Sequence, residues 1–393
     1  MKNISVLGIT GSIGHSTLKV LDNYKKDFNL ISISTHSNVK NLLKLIDIYK
    51  PEFAVVSDRV SMFDYFGEYE KNYNNIKIYS GEDGLYKICS DRRNNIIVNA
   101  ISGKSGLIPS YNILTNGIDL ALANKESIVC AGPILKEIAK KNGCNIIPID
   151  SEHSAIFHLL RNRDKNEIEK IYLTASGGPF FRIEKKEWHK ITVKEALNHP
   201  TWKMGNKISI DSATMANKGL EVIEAERLFD ISYDKINVLI HPQSLIHSMI
   251  EIIDGEIYAQ IGPNDMAIPI QNALFYPEIR YNSFNRFNFN RIVTLEIFPV
   301  DLKKFRMLDF AFYCGKKSGV YPAFYNFINE ISVNLFLNEK IKFTHIEEIM
   351  EESLENFEKE DFLNKNILTM ENIKITEDLA NNICEKLYDK FKK

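Results

Sequence analysis

The residues best able to do chemistry fall into two acidic groups and three glycine- or histidine-bearing turns. Asp150 and Glu152 flank Ser151 directly after an apolar run ending at Ile149, and His153 follows. Carboxylates at i and i+2 share one face of an extended strand, and they converge on a single hard cation only where the backbone bends. A solvated turn reads the same way. The second group lies in Asp211-Ser212-Ala213-Thr214-Met215-Ala216-Asn217-Lys218-Gly219-Leu220-Glu221-Val222-Ile223-Glu224. If a helix begins near Asn217, then Lys218, Glu221 and Glu224 stand at i, i+3 and i+6 and share a face. That face could meet a metal and a phosphate, and an exposed charged surface has the same spacing. Ser176-Gly177-Gly178-Pro179-Phe180 predicts a tight turn whose amides suit a phosphate. His199-Pro200-Thr201-Trp202-Lys203-Met204-Gly205 combines a cationisable ring, an indole and a thioether, the makeup of a loop that closes over a substrate.

A nucleotide signal stands at the other end of the chain. Gly8-Ile9-Thr10-Gly11-Ser12-Ile13-Gly14 follows a strand-like run and precedes a helix-like one. Glycines there let the backbone approach a pyrophosphate, whose charge then rests on free N–H groups at the helix start. The spacing is GxxGxxG rather than GxGxxG, and an unliganded strand-to-helix turn is the alternative. About 20 residues further on, an NAD site places a carboxylate on the ribose. This chain reads Ser34-Thr35-His36-Ser37-Asn38 instead. His36, Ser37 and Asn38 can donate to a 2′-phosphate that no carboxylate repels, which predicts NADPH, although Asn38 would also cap the next helix well. Ser102-Gly103-Lys104-Ser105-Gly106 lacks the first glycine of a phosphate-binding loop and reads as a turn.

These motifs need elements to position them. Apolar runs at 4–7, 30–34, 53–56, 96–100, 118–123 and 145–149 alternate with helix-like segments, the rhythm of a doubly wound parallel sheet. Two β-rich runs in 247–261 flank Asp254-Gly255, a pair suited to a hairpin turn. Ile375, Leu379, Ile383, Leu387 and Phe391 recur every four residues, with Thr376 as the expected N-cap. The expected class is therefore α/β: a Rossmann-like N-terminal domain (1–149), a central α+β catalytic and dimerisation domain (150–275), a linker (276–300) and a C-terminal helical bundle (301–393). At 393 residues the chain is too long for one ordinary core. A net charge of −2 gives no global field for nucleic acid. The five cysteines form no CxxC pair and predict neither a disulfide framework nor a zinc knuckle. No apolar run has the length of a membrane span and a strand begins at once, so a cytoplasmic location is expected.

Taken together and in order, the motifs at 8–14, Ala-Asn-Lys-Glu-Ser at 123–127, and those at 150–153, 176–180, 199–205 and 211–221 strongly resemble 1-deoxy-D-xylulose 5-phosphate reductoisomerases. His-Pro-Gln-Ser-Leu-Ile-His-Ser-Met at 241–249 adds to the resemblance. It implies a homodimer that uses NADPH and Mg²⁺ or Mn²⁺ to convert 1-deoxy-D-xylulose 5-phosphate to 2-C-methyl-D-erythritol 4-phosphate in non-mevalonate isoprenoid biosynthesis. By motif match, Asp150, Glu152 and Glu221 are the metal ligands, and Ser176, Ser212, Asn217 and Lys218 hold the phosphate. Ser151, His199, Trp202, Met204, Glu221 and His247 line the substrate. Thr10, Gly11, Ser12, Ile13, His36, Ser37, Asn38, Asn124, Lys125, Glu126 and Gly205 fall on the cofactor. Lys125, Glu152 and His199 are the catalytic candidates. The chain departs from the family pattern at Ala267, where a basic residue is usual, and at Phe327-Ile328, where two alanines are. The rival readings are a metal-independent dehydrogenase on a related plan and a silent NADP-binding sensor. Retention of all three carboxylates speaks against silence.

Overall fold

The computed structural model describes residues 1–199, 202, 204–290, 292–360 and 366–392. Pro200, Thr201 and Lys203 of the His199–Gly205 motif lie outside the described residues. The chain divides into two compact units. Met1–Ser127, Leu135–Ser154 and Asp265–Asn285 make the first; Ile128–Ile134, Ala155–Asn264 and Arg286–Lys393 make the second.

The first unit is an eight-stranded sheet: β1 (Lys2–Leu7), β2 (Phe28–Thr35), β3 (Phe53–Val56), β4 (Lys71–Tyr73), β5 (Ile76–Ser80), β6 (Ile96–Asn99), β7 (Asp119–Leu122) and β8 (Ile146–Pro148). Its order is β4-β5-β3-β2-β1-β6-β7-β8, parallel except for the β4–β5 pair. Near-continuous burial of Ile4, Val6, Leu7, Ile96, Ile97 and Val98 is what strands covered on both faces require. The order reverses direction between β1 and β6, so the ligand crevice of this doubly wound sheet lies beyond their carboxyl ends. The expected strands are all present. Residues 71–80 add a pair that the alternation of the sequence, with Asn74 and Asn75 at its turn, does not announce.

The second unit holds a five-stranded sheet made of β9 (Ile168–Ala175), β10 (Ile236–Ile240), β11 (Ile246–Ile252), β12 (Ile257–Ile261) and β13 (Phe298–Pro299). The order is β12-β11-β9-β10-β13, with β9 and β10 parallel and the other pairs antiparallel. The hairpin is where the sequence places it. Its loop has three residues, Ile253 to Gly255, and only Gly255 takes a positive φ (+91°), so the Asp-Gly pair does not form the two-residue turn.

Helices Arg306–Lys317, Tyr321–Leu337, His345–Phe357 and Met370–Phe391 complete this unit, as the C-terminal pattern predicts. Phe324 stacks on Phe357 at 3.8 Å in their core. The cap expectation is corrected. Thr369, not Thr376, caps the last helix, accepting a bond from Asn372 N–H, while Thr376 is buried a turn and a half inside and bonds back to Asn372 O. Ile375 is half exposed because the buried stripe runs through Ile373, Thr376, Ala380 and Ile383. Ala267, Phe327 and Ile328 are all buried, so the departures at these positions are core choices. Among the described residues no helix is long and apolar enough to cross a membrane.

Candidate active site

In the first unit the Gly8–Gly14 turn sits at the end of β1, facing the crevice. Gly8 has φ +76°, and a Cβ there would stand 2.6 Å from the Ala100 carbonyl oxygen beyond β6. At Gly14 a Cβ would be 2.2 Å from Ile9 O, so only glycine lets helix Ser12–Asn23 come this close to the strand end. Gly11 is the N-cap and no side chain caps that helix, so the amides of its first turn are offered outward. Thr10 is tied to Thr35 by a 2.6 Å hydroxyl contact, which fixes the turn against the end of β2. This architecture fits a pyrophosphate.

His36, Ser37 and Asn38 are exposed just past β2. His36 Nδ1 is 3.1 Å from Ser57 Oγ, and Asn38 Oδ1 accepts from Asn41 N–H as the cap of Val39–Tyr49. The cap uses only the carbonyl oxygen. Beside them is a cavity of about 320 Å³ lined by Ser37, Asn38, Lys40, Ser61, Asp64 and Tyr65. Lys40, in the first turn of that helix, adds a cation to the lining.

Asn124 caps helix Lys125–Asn142, accepting from Ser127 N–H, and its amide donates to Ile101 O, Gly103 O and Glu126. It pins the loop after β6. Lys125, in the first turn, is 2.7 Å from Asp150 Oδ2, and both side chains are largely buried. Burial pushes the Asp150 carboxyl up, but the Lys125 ammonium and His153 outweigh it and hold Asp150 well below the usual carboxylate range. The backbone is bent after β8 rather than straight, because helix Ser151–Leu159 starts at once and Glu152 N–H turns back to Asp150 Oδ1. Ser151 donates to Glu152. His153, fully buried, brings Nδ1 to 3.4 Å from Asp150 Oδ1, so these two offer ligand atoms to one cation. Its i+3 spacing from Asp150 at a helix start was a readable signal that the acidic pattern overshadowed.

In the second unit, helices Asn206–Thr214 and Ala216–Phe229 meet at Met215, which adopts a left-handed conformation with φ +63°. The face carrying Lys218, Glu221 and Glu224 is not a solvated surface. These side chains are 3 %, 1 % and 1 % exposed. Buried charges are retained only where partnered, and they cluster at functional sites. Lys218 Nζ and Asn217 Nδ2 both donate to Glu221, one to each carboxylate oxygen. A buried carboxylate of this kind is the type of oxygen donor that a hard divalent cation selects.

The Ser176–Phe180 turn is pressed against the helix that carries Ser212: a Cβ at Gly178 would lie 2.6 Å from Ser212 O. Trp202 N–H donates to His199 Nδ1, so in neutral His199 the proton is on Nε2, which stands 2.9 Å from Ser176 Oγ and donates to it. Burial lowers the His199 pKa and favours that neutral form. Ser176 Oγ also accepts from Gly178 N–H, which leaves its own O–H to be donated to a ligand oxygen. Met204 precedes Gly205, the N-cap of Asn206–Thr214. His247 is buried on β11, beside Gly262. Asp211, which the motif carries but the site reading left without a role, is buried and held by Lys207 and Asn329 at 2.8 Å each.

A doubly wound sheet with a glycine-lined crevice, together with buried carboxylates and a serine-glycine anion turn, defines a nicotinamide-dinucleotide oxidoreductase that also uses a divalent metal. Three models of one family match along the chain: 1-deoxy-D-xylulose 5-phosphate reductoisomerase over residues 4–132, its C-terminal domain over 146–229, and a further DXP reductoisomerase C-terminal domain over 261–381. The chain belongs to the 1-deoxy-D-xylulose 5-phosphate reductoisomerase family. The reductoisomerase of Clostridium acetobutylicum is 45% identical over 386 residues, 98% of this chain and 100% of the relative. That of Thermoanaerobacter pseudethanolicus is 46% identical over 356 residues, 90% and 92% of the two chains. A reductoisomerase crystallised with NADPH, fosmidomycin and magnesium superposes with a TM-score of 0.89 at 35% identity, covering 99% of this chain and 98% of its own. The Zymomonas mobilis enzyme with NADPH gives 0.87 at 34% identity, covering 98% and 99%.

Proposed function

We propose that this chain converts 1-deoxy-D-xylulose 5-phosphate to 2-C-methyl-D-erythritol 4-phosphate with NADPH and Mg²⁺ or Mn²⁺, through the residues described above. The observation that carries the site assignment is the buried Lys218–Glu221 pair, joined by half-buried Asn217, whose charges have no reason to be interior in a surface helix. Asp150, Glu152 and Glu221 hold the metal, with His153 beside Asp150 as a further donor for it. When bound, the metal supplies Lewis acidity at the substrate carbonyl and NADPH supplies the hydride.

The chain's own residues do the rest. Ser176 O–H, Ser212, Asn217 and Lys218 bind the phosphate, which is remote from the reacting carbons and so contributes binding energy for closing the site. Trp202, Met204 and His199 cover the substrate and exclude water, with His247 and Ser151 completing its lining. Lys125 supplies positive charge beside Asp150, and Glu152, hydrogen-bonded by Ser151, is placed to hold or release a proton. Thr10 to Ile13 take the pyrophosphate, Asn124, Glu126 and Gly205 lie along the cofactor, and the cavity at Ser37, Asn38 and Lys40 takes the 2′-phosphate end with His36 at its rim.

Residues 150–275 act as the catalytic and dimerisation region of a homodimer, a reading supported by apolar side chains left exposed on the β11–β12 hairpin, Ile253 and Ile257. Residues 1–149 take the NADPH, 276–300 are the linker and 301–393 the helical domain. The five cysteines, buried and outside any disulfide, fit a cytoplasmic location. The test is NADPH oxidation followed by its absorbance, with 1-deoxy-D-xylulose 5-phosphate, with and without Mg²⁺ or Mn²⁺, and with NADH as control. Metal-dependent oxidation selective for NADPH is expected. NADPH binding without turnover would sink the reading.

A further inference from the structure

Arg227 is a buried charge that the proposed chemistry does not use. It lies on helix Ala216–Phe229, two turns beyond Lys218 and Glu221, and is 5 % exposed. Burial lowers its pKa, yet a guanidinium stays charged in proteins, so its environment must stabilise a cation. That environment is a broken helix. Within Lys125–Asn142 the backbone leaves helical geometry at Ala131 (φ −134°, ψ 17°), and Pro133 follows. Proline has no N–H, so the Val129 carbonyl four residues back loses its helical partner. Arg227 Nη1 donates to Val129 O and, at 3.0 Å, to Ile128 O. Carbonyls at the end of a helical segment carry partial negative charge, which is the counter-charge that the guanidinium finds here. Gly132 is part of the fit: a Cβ on it would lie 2.9 Å from Arg227 Cδ, so the side chain lies flat across the kink only because residue 132 has none.

We infer that Arg227 is a positioning residue: by clamping the kinked segment Ile128–Ala131 onto the helix that carries Lys218 and Glu221, it sets the turn bearing Lys125 and Glu126. Ile128–Ile134 groups with the second unit, and Arg227 is a polar tie within that unit, alongside Asn326 Nδ2 to Cys130 Sγ at 3.5 Å. Lys125 enters the kinked segment three residues upstream, and it meets Asp150. The inference rests on the assignment of Lys125 and Glu221 to the site, but its test separates the two.

Arg227→Met, Pro133→Ala and the double variant are compared with wild type in the full-length protein by thermal unfolding and by kcat and KM. Wild-type turnover with 1-deoxy-D-xylulose 5-phosphate checks the functional reading on its own. Arg227→Met is expected to lower both Tm and kcat, the latter by about tenfold to a hundredfold, as a displaced group near reacting atoms does. In the double variant the Pro133→Ala change restores an N–H for Val129 O. Tm should then recover while kcat stays low, because the carbonyl is satisfied but the segment is no longer clamped. Recovery of kcat together with Tm overturns the inference and leaves Arg227 a structural donor only; so does a normal kcat in Arg227→Met. If Arg227→Met does not fold, Arg227→Lys, which keeps the charge and one donor, takes its place in the same comparison.

Discussion

The two ends of the proposed site solve the same problem, holding an anionic ligand, in opposite ways. At Gly8–Gly14 there is no charged side chain in the turn; access comes from absent Cβ atoms and the free amides of a helix start. Along Ala216–Phe229 the site groups are full charges, Lys218 for the phosphate and Glu221 for the metal, taken out of water and tied to each other. Backbone binding tolerates any side chain that does not intrude. Buried charge tolerates almost no change, because removing one partner strands the other at a cost of about 3–5 kcal/mol. The metal and phosphate end should therefore be the more brittle.

The largest expected effect is at Glu221. Glu221→Gln keeps size and shape but removes the charge that a cation and Lys218 share, so metal-dependent turnover should fall on the order of a thousandfold. NADPH affinity, measured by fluorescence titration, should hardly change; simultaneous loss of both would erase the contrast between the two ends. Lys218→Ala comes next, with KM for the phosphorylated substrate rising about tenfold to a hundredfold, in line with the loss of one charge-assisted contact. An unchanged KM would remove Lys218 from the phosphate site.

Gly14→Ala sharpens the comparison from the other side. Its Cβ meets backbone at 2.2 Å, so a loss of about 1–3 kcal/mol in stability and weaker NADPH binding are expected, with metal affinity untouched.

The smallest effect concerns pH. His199 has its pKa lowered from 6.5 by burial, so the folded protein binds fewer protons there than the unfolded chain. Its contribution to stability is present above about pH 6.5 and is lost as pH falls through the lower folded value. His199→Asn should flatten the decline of Tm in that acid range, and an identical slope in the variant would show that the ring is not the group responsible.

Sequence periodicity was enough for six of the eight strands of the first sheet, because strands buried on both faces must be written as continuous apolar runs. It was enough for the hairpin too, though not for its loop, since Asp254 and Gly255 satisfy a two-residue or a three-residue turn equally well until the register of β11 and β12 is set. The Thr376 cap failed for a related reason: a four-residue repeat slides around a helix of 3.6 residues per turn, and the true buried stripe begins at Ile373. His153 was legible from its i+3 spacing to Asp150, whereas Lys40 was legible only as a residue type and not as part of the lining it shares with Ser37.

The sequence by itself determined the order of the elements, the glycine turn at the first strand end, the absence of a carboxylate after β2 and the supply of oxygen ligands. It did so because each of these depends on residue type and local spacing. Only the tertiary structure decided whether Lys218, Glu221 and Glu224 form a wet surface or a buried charge knot, and that Arg227 answers a carbonyl orphaned by Pro133. Burial and long-range partnership depend on what packs against a face, and a face reads the same in the sequence whether water or protein covers it.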